Sequence, residues 1–147
     1  MEYSIFNQKG YAINKDNLGA AIKLVMSNIE SQKSSYDKLN ILSFGRLLEG
    51  RAYYHEEDAF YNCLGFEVEV EKQFRWDENV EEPIFTEVGF YSIWKGKSSS
   101  YAPVLFTESS GGLGKAYKFS NGCGDHIDIS KEIYTMVEVQ EVINRMK

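Results

Sequence analysis

His55, His126, Cys63 and Cys123 are the side chains of this 147-residue chain best suited by type to proton transfer, nucleophilic attack or metal ligation. Cys123, Asp125 and His126 lie close together, and His55 with Cys63 supplies two further donors, enough in number for a tetrahedral zinc site. The donor pairs, however, are separated by two and by seven residues in different halves of the chain, a spacing that specifies no zinc motif. No metal and no cofactor are therefore expected. Neither histidine sits in a nucleophile elbow, and no oriented base beside Ser or Cys is legible, so no catalytic residues are assigned. A small hydrolase using His55 or His126 with a carboxylate or metal stays open as the alternative. The acidic pairs Asp77-Glu78 and Glu81-Glu82 have the residue types of hydrolase acids, but their place beside Pro83 marks a solvated turn.

The run Ser109-Ser110-Gly111-Gly112-Leu113-Gly114-Lys115 resembles a phosphate-binding loop and fails its requirements. A glycine is needed five places before the Gly-Lys pair and a hydroxyl residue after it; these places hold Ser109 and Ala116. A hairpin loop is the simpler reading.

Charge is distributed more informatively than chemistry. Between positions 56 and 87 stand eleven acids (Glu56, Glu57, Asp58, Glu67, Glu69, Glu71, Asp77, Glu78, Glu81, Glu82 and Glu87) against two bases, Lys72 and Arg75, a net of −9 in a chain of net −6. Both flanks are slightly basic. Such a balance argues against direct nucleic-acid binding, which rests on Lys and Arg neutralising phosphates. Phe66, Val68 and Val70 alternate with Glu67, Glu69 and Glu71, so a strand here projects three glutamates from one side. A solvated outer face explains that pattern as well as a binding surface does. Trp76, between Arg75 and Asp77 and close to Phe74, is either an interface anchor or a core side chain.

The elements that must position these residues follow from periodicity. Asp16 can cap a helix in which Leu18, Ala21, Ile22, Val25 and Ile29 recur at helical spacing, ending near Ser31. Ser34 or Ser35 can cap a second helix carrying Tyr36, Leu39, Leu42, Leu47 and Leu48, stopped at Gly50. Residues 53–63 read as an irregular turn or short helix. Strands are expected over 64–72, 84–94, 103–107 and 115–119. Thr135 and Glu138 form a capping box before the stripe Met136, Val139, Val142, Ile143 and Met146. The expected fold is α+β, one domain over 1–147, with N-terminal helices packed on one face of an antiparallel sheet and a short C-terminal helix. No basic leader or long apolar run is present, so a cytoplasmic protein without membrane contact is expected.

The two expected helices, the stretch Leu39-Asn40-Ile41-Leu42-Ser43, the entry Cys63-Leu64-Gly65-Phe66-Glu67 into the acidic strand, and the C-terminal helix together resemble bacterial immunity proteins of contact-dependent growth inhibition systems, the ribonuclease-toxin type. The resemblance spans residues 36–147. It implies a cytoplasmic inhibitor whose partner is a cognate protein toxin, typically a basic nuclease domain, covered at its active or substrate-binding surface. It transfers no catalytic residue. On the charge map, the expected contact residues are the eleven acids with Phe74 and Trp76. A regulatory protein-binding module would use the same surface.

Overall fold

A computed structural model describes residues 15–74, 84–94, 104–106, 113–114, 119–120 and 124–146. The described elements run α1 (Lys15–Ser31), a 3-10 turn (Lys33–Ser35), β1 (Tyr36–Tyr54), β2 (Ala59–Phe74), β3 (Phe85–Trp94), β4 (Val104–Phe106), β5 (Phe119–Ser120), β6 (His126–Tyr134) and α2 (Met136–Met146). The strands form one sheet in the order β4-β3-β2-β1-β6-β5, with every pairing antiparallel. Four longer strands carry it and two short ones finish its edges. The fold is thus α+β, as expected, with one N-terminal helix instead of two.

Helix α1 forms where the 3.6-residue period places it. Leu18, Ala21, Ile22, Val25 and Ile29 are all buried against the sheet, and each of the four larger chains contributes about 2 kcal/mol of burial. Helix α2 packs on the same face through Val139 and Val142. Its start is fixed as the sequence indicates: the Thr135 N–H donates to Glu138 Oε1 at 2.9 Å and the Glu138 N–H to Thr135 Oγ1 at 3.1 Å. Beneath the helices lie Leu39, Phe44 and Leu47 of β1, Leu64, Phe66, Val68 and Val70 of β2, and Tyr91 and Ile93 of β3.

The second helix expected from Tyr36 to Gly50 is instead the 19-residue strand β1. The physical cause is visible in the register against β2, which shifts between Ile41 and Ser43 and again between Phe44 and Leu47. Each bulge adds a residue to β1, so the inward side chains Leu39, Ile41, Phe44 and Leu47 recur two, three and three positions apart. Three-residue spacing imitates a helix. Residues 53–63, read as a turn or helix, are a hairpin: Tyr54 pairs with Ala59 across a four-residue loop, 55–58. That loop is closed by the Glu57 N–H to the Tyr54 carbonyl and the Asp58 N–H to the His55 carbonyl, with Asp58 at φ 49°. Asp accepts this left-handed conformation better than most residues. Strand β6 had no counterpart among the expected strands.

The opposite face of the sheet is partly buried too. Leu48, Ala52, Cys63, Phe90 and Ile127 make a smaller cluster there. Gly65 is needed at its edge, since a Cβ would lie 2.6 Å from the Tyr91 carbonyl oxygen and 2.7 Å from the Phe90 ring. Among the described residues no helix is long and apolar enough to cross a membrane.

Candidate binding surface

The three strand glutamates do share a face of β2, but that face is not an open acidic patch. Glu67 is 0% exposed. At its level the bulge sets two residues of β1, Gly45 and Arg46, against the single Glu67 of β2. This turns the Arg46 side chain onto the glutamate's side of the sheet. Arg46 Nε donates to Glu67 Oε1 at 2.9 Å and Nη2 to Oε2 at 3.0 Å, while the Arg46 backbone N–H reaches Oε1 at 3.0 Å. The Gly114 N–H adds contacts of 3.2 and 3.3 Å from above. Gly45 leaves room for this cover: a Cβ there would lie 3.0 Å from Glu67 and from Leu113 Cδ2. The hydrogen bond to Glu67 chiefly, with the attraction of Glu67 and Glu132 adding to it, raises the Arg46 pKa above its ordinary value. A buried carboxylate met by a forked guanidinium and backbone donors is a structural clamp.

The other acids of the expected surface divide by position. Glu69 accepts from the Ser43 hydroxyl at 3.3 Å, and Glu71 from Asn40 Nδ2 at 3.4 Å with Lys38 Nζ at 3.8 Å. Glu87 projects from the helix-bearing face, where buried Lys72 donates to it at 2.8 Å. Phe74 is exposed and its ring lies beside Tyr36 and Phe85. Glu56, Glu57 and Asp58 occupy the exposed β1–β2 turn at the far end of the molecule from Phe74. Trp76, Asp77, Glu78, Glu81 and Glu82 lie outside the described residues, as does Cys123. Among the described residues the acids therefore do not converge on one surface through β2; Glu67 is enclosed, and its expected role as an outward contact does not survive its burial.

A different constellation gathers at the hairpin tip. Tyr53 pairs with Phe60 on one side and His126 on the other, so the three rings form a row across β2, β1 and β6. Ring centroids are 4.9 Å apart for Tyr53 and Phe60 and 5.3 Å for Tyr53 and His126. Arg51, two residues back on the same face, lays its guanidinium 4.7 Å from the Phe60 centroid and pairs in register with Asp128. Phe60 is 47% exposed despite this stacking. The Tyr53 hydroxyl donates to Asp58 Oδ1 at 2.8 Å, which raises the phenol pKa above its usual value. On the neighbouring turn the Tyr61 hydroxyl donates to Glu57.

Both histidines are held at this tip. Asp125 Oδ1 accepts the His55 backbone N–H at 2.8 Å and lies 3.0 Å from His55 Nδ1. Gly124, at φ 95°, brings the chain against His55. His126 Nδ1 lies 3.2 Å from the Gly124 carbonyl and Nε2 3.7 Å from Asp128. A His–Asp pair has the form of a base with its orienting group, yet among the described residues neither histidine hydrogen-bonds a hydroxyl or thiol. Cys63, the described thiol, is buried and donates to the Gly50 carbonyl. Among the described residues no three His, Cys, Asp or Glu side chains converge as metal ligands.

Sequence reasoning placed the turn acids and both histidines among its candidates and missed Arg51, Tyr53 and Phe60. The alternation Arg51-x-Tyr53 was available as a strand signal; the matching positions on β2 and β6 were not. In comparisons with protein-family models, curated proteins and solved structures, none matches the chain.

Proposed function

We propose that this chain is a protein-binding inhibitor of the immunity type, which neutralises a cognate toxin domain with a basic active surface by covering it with the β1–β2 hairpin tip. The observation that carries this reading is the row Phe60–Tyr53–His126, exposed at Phe60 and partly buried at Tyr53 and His126, edged by exposed Asp58 and Asp128. Tyr, Phe and Arg on a rigid sheet provide the anchoring area of an interface at low conformational cost, and the surrounding acids steer a basic partner toward it. The proposed partner class, a nuclease domain, rests on the resemblance noted in the sequence and on these acids. Glu69 and Glu71 lie on the other face of the sheet and extend the acidic field without forming the anchor.

The test is protection of cells from the toxin encoded beside this chain, coupled to association measured at two salt concentrations. Protection with binding that weakens as salt rises supports the reading; unprotected cells and no association sink it. The His55–Asp125 pair favours the second reading, an acid–base enzyme. Protection that persists in His55→Ala and His126→Ala variants rules catalysis out as its basis.

A further inference from the structure

A cleft of about 450 Å³ opens between the two helices and β1. Its described lining comprises Ile22, Lys23 and Met26 of α1, residues 41–44 of β1, and Gln140, Ile143 and Met146 of α2. Seven of these side chains are apolar. Lys23 is the one charged group among the described lining residues, and it forms no ion pair with any described residue. Ser43 turns its hydroxyl to Glu69 on the other face of the sheet. Met26 and Leu42, 44% and 48% exposed, leave the cleft open to solvent at one side.

Clefts of this size, mostly apolar with one or two polar groups, suit small ligands. A volume of about 450 Å³ lies within the range of small-ligand sites, about 300–1,000 Å³. The two methionines give walls that adapt to an unbranched chain.

We propose that this cleft binds a single-chain anionic amphiphile, a medium-chain carboxylate or acyl group, with its methylenes between α1, α2 and β1 and its head at Lys23. The site shares no residue with the hairpin tip and stands independently of the proposed inhibitor function. A free fatty acid and a phospholipid chain present the same chemistry.

Titration of the full chain with octanoate, decanoate and dodecanoate below their micellar concentrations, followed by calorimetry and by the methyl resonances of Ile22, Met26, Ile143 and Met146, tests it. Binding should be one to one and tighten about threefold to fourfold per added methylene until the cleft is filled. Met26→Trp, at an exposed position that spares the fold, should abolish binding, and Lys23→Glu should weaken it at least tenfold. Pelleting with phosphatidylglycerol vesicles that Met26→Trp abolishes would assign a lipid chain; solution binding without pelleting would assign the free acid. The proposal is overturned if affinity is independent of chain length, if dodecyltrimethylammonium binds as well as dodecanoate, or if the perturbed methyls lie away from the cleft.

Discussion

Mid-strand on β2, Glu67 is enclosed by Arg46 and the Gly114 backbone, whereas nearer the turn of the same hairpin Asp58 stands in solvent and accepts from a tyrosine hydroxyl. Both are carboxylates in an acidic stretch, and charge alone does not distinguish them. The bulge in β1 does, because it delivers a guanidinium and a backbone donor to one position, to which Gly114 adds a second backbone donor, and leaves the turn untouched. Acidity in a sequence becomes an acidic surface only where the fold brings no internal cation against it. The clamp region belongs to stability; the tip is where recognition is proposed.

That contrast can be broken most forcefully at Glu67. Glu67→Gln leaves partly buried Arg46 beside a neutral amide with Glu132 as its remaining carboxylate partner, and removing one partner of a buried pair costs up to about 3–5 kcal/mol; denaturant unfolding should show a clear loss. A change within 1 kcal/mol would mean that the clamp is not structural. At the tip the effects should exchange places. Phe60→Ala should weaken partner binding by about 2 kcal/mol, on the order of thirtyfold, as expected for an interface anchor, with unfolding stability altered by less than half that amount. Equal losses in both assays would erase the distinction.

The C-terminal helix supplies a smaller, independent control. Thr135→Ala removes one half of the capping box and should cost about 1 kcal/mol of stability without touching partner affinity. The finest probe is the Tyr53 phenol. Its folded pKa is raised by the hydrogen bond to Asp58, so the stabilisation is complete below the ordinary tyrosine pKa, about 10, and is lost as pH rises through the folded value. Phenolate absorbance should place Tyr53 above the ordinary midpoint, and Asp58→Asn should lower it; an unmoved midpoint would dissolve that contact.

The parts of the fold legible in the sequence are those whose periodicity is unbroken. In α1, five apolar residues recur along one helical face and all five are buried, and in α2 the reciprocal Thr135–Glu138 bonds form as their types and spacing require. Strand β2 is legible from alternation over 64–72, but not over its first residues, 59–63, which lack that pattern. Strand β1 is not, because its bulges give inward positions a spacing of three, which local periodicity cannot tell from a helical turn. The same bulge hides the fate of Glu67, since its partners lie 21 and 47 positions away. At the tip, the turn acids were evident as charges, while the aromatic row exists only once β2, β1 and β6 are in register. Long-range registry, not composition, decides both regions.

The measurement that bears most directly on the assignment of recognition to the hairpin tip compares association with the cognate toxin for two double variants. Tyr53→Ala/Phe60→Ala removes the ring row, and Glu69→Lys/Glu71→Lys reverses the charges left accessible beside the clamp. The account predicts a large rise in dissociation rate for the first pair and only a modest fall in association rate for the second. Loss of binding confined to the glutamate variant, with the ring variant bound as tightly as the unaltered protein, would contradict it.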